Sequence, residues 1–79
     1  MNNNKELALL EKKEYWLNLF KKYSFLLTQN QKQVFHLYFV EDLSLNEIAI
    51  ELAVTRSAVF DTLKNTKIKL EEIYKKHQN

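Results

Sequence analysis

The residues of this chain that can do chemistry gather in "TRSAVFDTLKNTK", Thr55 to Lys67. Arg56, Ser57, Lys64 and Lys67 carry donors suited to phosphate oxygens. An arginine near a helix start can also take the N7 and O6 edge of guanine. Thr55 stands where it can cap the helix that carries them. Asp61 lies in their midst, and a carboxylate there repels phosphate and suits only the amino group of cytosine. The chemistry this set offers is recognition of a polyanion, not the making or breaking of bonds. No nucleophile–base–acid set is legible, because Ser44 and Ser57 are explained by capping and surface roles and neither has a histidine plausibly beside it. With no glycine there is no phosphate-cradling loop. His36 and His77 fall in different elements with no cysteine near, so neither a metal nor another cofactor is expected. These residues predict a protein that is not an enzyme.

The same stretch holds a second kind of candidate. Unrolled at about 100° per residue, Val59, Leu63, Leu70 and Ile73 share the inward side of a helix. Ser57, Asp61, Lys64, Ile68 and Lys75 share the outward side, with Asn65 at its margin. Ile68 is a large aliphatic residue among charges, either an ordinary exposed side chain or an anchor for a protein partner. Phe60 lies between the two sides. Packing on the preceding helix is the expectation for it, and a protruding interaction aromatic is the alternative.

An all-α domain must position these residues. Glycine and proline are absent and the apolar residues do not alternate at period two, which excludes a hairpin-built sheet. Four helices are predicted, over residues 5–23, 28–39, 44–52 and 55–75. On the first, Leu9, Trp16, Phe20 and Tyr23 form a stripe, with Leu10 and Leu17 beside it and Ala8, Tyr15 and Leu19 flanking. That stripe is wide enough to span the core or to meet a second subunit, so a homodimer through the first helix is one expected partner. Thr28 with Gln31, and Ser44 with Glu47, have the spacing of capping boxes. Val34, Leu37 and Tyr38 are read as the inward face of the second helix.

The last two helices meet across Ala53-Val54-Thr55, the length of a helix-turn-helix connection. Ala49 is small where the helices must approach, and Ile48, Leu52, Val54 and Val59 supply apolar contacts around the turn. Glycine is the usual first residue of such a turn, so Ala53 costs roughly 1 kcal/mol if the left-handed conformation is adopted.

Seventy-nine residues make one small domain whose core must rest on apolar burial, since no cysteine is present. Net charge is only +2 but unevenly spread. Residues 28–54 hold one lysine against Glu41, Asp42, Glu47 and Glu51, whereas residues 55–79 hold Arg56 and five lysines against three carboxylates. A basic C-terminal third suits a phosphate backbone. Eleven of the twelve basic residues are lysine, as an AT-rich genome would impose, which weakens that inference. No apolar run approaches a membrane span and the N-terminus lacks a secretory pattern, so a cytoplasmic protein is expected.

The stretch from Leu27 to Ile73 resembles region four of bacterial sigma factors in its spacing, its acidic loop and its "SLNEIA" element. More closely, "FHLYFVEDLSLNEIA" and "VTRSAVFDTLKNTKIKLEEI", with the leading aromatic helix, are similar to the YlxM family of small helix-turn-helix proteins. The resemblance implies a sigma-region-four-like, four-helix domain with its helix-turn-helix at the C-terminal end and the last helix in the recognition position. It further implies regulation within the signal recognition particle targeting pathway. Partners would then be DNA, or components of that particle bound by an accessory factor without sequence-specific DNA binding.

Overall fold

The computed structural model describes the backbone of residues 3–78 and the side chains of residues 12–77. Its helices are α1 (Asn3–Tyr23), α2 (Gln29–Phe35), α3 (Leu45–Leu52) and α4 (Arg56–Gln78), and the described residues contain no strand. A short 3-10 turn, Ser24–Leu26, joins α1 to α2. A π-helical segment, His36–Val40, prolongs α2.

Local chemistry sets the starts. The Thr28 hydroxyl accepts the Gln31 N–H at 3.1 Å, while the Gln31 side chain accepts the Thr28 N–H at 3.0 Å. The Ser44 hydroxyl accepts the Glu47 N–H at 3.1 Å, and Glu47 Oε1 accepts the Ser44 N–H at 2.8 Å. Each box satisfies two N–H groups that a helix start leaves without partners.

The end of α2 is less regular. The Glu41 N–H reaches back to the His36 carbonyl at 3.1 Å and the Leu43 N–H to the Leu37 carbonyl at 3.0 Å, wider than an α-helical turn. Asp42 then reverses the chain at φ 60°. Aspartate is one of the few residues that tolerate this region.

The core joins Leu19 of α1, Leu27, Val34, Phe35, Phe39, Ile48, Ala49, and Val59, Leu63 and Leu70 of α4. Two expectations need correction here. On α1 the deepest side chain is Leu19, with Trp16, Leu17, Phe20 and Tyr23 half-buried around it. Ala8, Leu9 and Leu10 lie outside the described side chains. Along α2 and the π segment Val34 is buried as expected, but it shares the centre with Phe35 and Phe39, while Leu37 and Tyr38 pack at the edge. The Phe35 ring stacks on Phe20 at 4.5 Å and on Phe39 at 4.4 Å. A purely hydrocarbon ring loses nothing by full burial, whereas the Tyr38 hydroxyl needs a partner or water.

Thr66 was not among the expected inner residues, yet it is fully buried between Leu63 and Leu70. Its hydroxyl donates to the Thr62 carbonyl at 2.7 Å, so a polar group enters the core already satisfied.

Candidate nucleic-acid interface

The interface candidate is built on the α3–α4 corner. Ile48 and Ala49 are buried where the helices approach, and Val59 meets them from α4. Ala53 adopts φ 56°, ψ 45°, the left-handed conformation that glycine usually supplies. The Val54 N–H donates to the Ala49 carbonyl at 3.0 Å and the Ala53 N–H to the Ile50 carbonyl at 3.3 Å. Together these are the paired bonds of a Schellman helix end. Alanine in this conformation is strained by about 1 kcal/mol, which the two bonds offset. Val54 departs from expectation: it is half exposed and contributes less to the apolar contacts around the turn.

Thr55 caps α4, its hydroxyl accepting the Ala58 N–H at 3.1 Å. Arg56, Ser57, Asp61, Lys64 and Ile68 are all exposed. The first turn of α4 holds Arg56 and no acidic residue. Arg56 makes no ion pair among the described residues. A cation at this end works against the helix dipole, at about 0.3–1 kcal/mol, so local stability does not account for it. The ion pairs found among the described residues, Lys13–Asp42 at 2.8 Å and His36–Glu41 at 3.2 Å, mask carboxylates of the acidic middle third. Neither involves a cation of α4.

Lys67 does not share the open face with Arg56 and Lys64. Its Nζ sits 5.3 Å from the Trp16 ring centre and 5.4 Å from that of Phe39, half-buried between α1 and the π segment. Two ring faces hold the ammonium. Phe60 also differs from expectation, standing 51% exposed instead of packing on α3. Ile68, 45% exposed, lies two turns further along the helix. Tyr15 of α1 donates its hydroxyl to Glu71 Oε2 at 3.2 Å. Burial, then this bond to a carboxylate, raise the Tyr15 pKa above its usual value near 10. The Lys67 and Tyr15 contacts are tertiary, and no local spacing in the sequence announces either. The exposure of Lys64 and Ile68 was legible from the helical period, but that of Phe60 was not.

Two helices crossing over a tight left-handed turn, the second with an exposed outward side, define a helix-turn-helix protein. Residues 10–78 match the family described as "Putative helix-turn-helix protein, YlxM / p13 like". The chain belongs to that family. It is similar to the UPF0122 proteins of Bacillus cereus strain AH187, Bacillus anthracis strain A0248 and Bacillus thuringiensis subsp. konkukian strain 97-27. Each is 47% identical over 68 residues, covering 86% of this chain and 62% of the relative. The chain thus spans less than two thirds of the length of these relatives. No solved structure matches. No helix among the described residues is long and apolar enough to cross a membrane.

Proposed function

We propose that this chain is a non-enzymatic regulator that binds duplex DNA with the exposed side of α4. The observation that carries the reading is Arg56. It is an exposed arginine with no ion pair among the described residues, in the first turn of the helix that follows the turn, where the dipole disfavours it. The first turn of the second helix is the part that meets base edges when a helix-turn-helix docks in the major groove. In that pose Arg56 takes a guanine edge or a phosphate, Ser57 a phosphate, and Lys64 the backbone one groove wall away. Thr55 keeps its cap and retains a hydroxyl proton for phosphate. Asp61 narrows the choice of sequence, since it tolerates a cytosine amino group and little else. With one arginine and one opposing carboxylate, binding is modest in strength. The resemblance to the YlxM family is the sole ground for placing this regulation in the protein-targeting pathway; the cytoplasmic reading rests on the lack of a membrane-length apolar run and of a secretory pattern in the sequence.

The test is fluorescence anisotropy of the full chain on a pool of random-sequence duplexes across a salt series. Each neutralised phosphate contributes about −0.9 to the slope of log K against log salt. The wild type is expected to show a slope of about −1 to −2, and Arg56→Ala with Lys64→Ala to lower affinity about tenfold or more. Unchanged affinity in the double variant ends this reading.

A further inference from the structure

Beside the open face of α4 lies a different surface, and its chemistry does not call for nucleic acid. Phe60, Leu63 and Ile68 of α4 and Trp16 of α1 line a shallow groove of about 370 Å³. Lys64 and Lys67 border it, and Glu71 closes one end. Phe60 and Ile68 are eight residues apart, about 12 Å along the helix axis, so two exposed apolar side chains rise from one flank two turns apart. Apolar side chains at that repeat match the stripe of a second amphipathic helix laid along the groove. The groove is bordered by Lys64 and Lys67 against Glu71, which is already engaged by the Tyr15 hydroxyl; Arg56 lies one turn before Phe60, and Asp61 stands exposed next to Phe60. A partner's cations meet an engaged carboxylate here, whereas its carboxylates meet Lys64 and, toward the start of the helix, Arg56.

We propose that this α1–α4 groove docks an acidic amphipathic helix of a partner protein. Its apolar residues seat against Phe60, Trp16 and Ile68, and its carboxylates face Lys64 and Arg56. The position of Glu71 sets the direction: the more acidic end of the partner lies toward the start of α4. Lys67, held over Trp16, floors the groove and fixes its width. Lys64 and Arg56 serve both this partner and DNA, so the apolar anchors Phe60 and Ile68, which are not assigned to DNA, are the residues that separate the two.

The probe is a fluorescein-labelled synthetic helix with leucines along one face and glutamates on both flanks. Two controls accompany it, one with every glutamate replaced by lysine and one with the leucines replaced by alanine. The full chain is expected to bind the glutamate–leucine peptide, with the lysine version weaker by about tenfold or more. Phe60→Ala with Ile68→Ser is expected to lower affinity for that peptide by about tenfold or more while leaving duplex DNA binding unchanged. Both residues are exposed, and an unchanged thermal unfolding curve confirms that this variant is folded. Absence of binding, equal binding of the two charge types, or indifference to the double variant overturns the proposal. Light scattering that shows a dimer abolished by the same variant assigns the groove to a second copy instead. Loss of DNA binding with the peptide assigns it to nucleic acid.

Discussion

The two sides of α4 are made of one helix but answer to different constraints. Inward, Val59, Leu63, Thr66 and Leu70 are nearly or wholly removed from solvent, and even the threonine has its hydroxyl satisfied within the helix. Outward, Arg56, Ser57, Asp61 and Lys64 are exposed, and no ion pair among the described residues engages the three charged ones. The inner side is explained entirely by packing. The outer side is not, because Arg56 opposes the dipole and Asp61 neutralises nothing nearby that the structure shows. Side chains that folding does not require are the ones to examine for binding.

Substitutions sharpen this contrast by separating stability from affinity. Leu70→Ala removes a fully buried side chain and is expected to cost about 2–5 kcal/mol, seen as an early midpoint in urea unfolding. Its DNA affinity, measured where the variant remains folded, should match the wild type. The pair Arg56→Ala and Lys64→Ala should do the opposite, lowering affinity about tenfold while stability stays within about 0.5 kcal/mol. A large loss of stability in that pair would erase the distinction between the two sides.

Ala53→Gly tests the corner that aims α4. Removing the Cβ from a residue at φ 56° should stabilise the fold by about 0.5–1 kcal/mol, less than the strain alone because glycine is freer when unfolded. Calorimetry showing a lower melting temperature would mean that the turn is not strained as described. The smallest effect belongs to Asp61→Asn, which removes a repelling charge without changing shape. It should raise affinity for random-sequence DNA about twofold to threefold, and weaken any preference for cytosine. Reduced affinity in the anisotropy assay would place Asp61 in a favourable contact instead.

What the sequence made legible was local. Both capping boxes follow from residues three apart, and the three-residue turn follows from its length, whereas the left-handed conformation of Ala53 was only one option that length allowed. The inner stripe of α4 follows from its period. The parts that escaped depend on who meets whom in space. Phe35 and Phe39 take the centre of the core because Phe20 arrives from α1 to stack there. Lys67 looks like one more surface cation until Trp16 and Phe39 are seen to enclose it. Phe60 was expected against α3, but the small Ala49 brings the helices together with Val59 between them, leaving Phe60 outside. The candidate site was therefore half readable: its open cations and the apolar candidates Phe60 and Ile68 follow from the helical period, whereas the groove that Trp16 of α1 completes does not.

The central claim is that the open side of α4, and not the groove or α1, receives DNA. Amide NMR of the full chain during titration with a short duplex tests it most directly. The account predicts that shift changes concentrate on residues 55–64 of the α3–α4 corner, while Trp16, Ile68 and the core amides stay in place. Changes centred on Trp16 and Ile68, or none at saturating duplex, would contradict it.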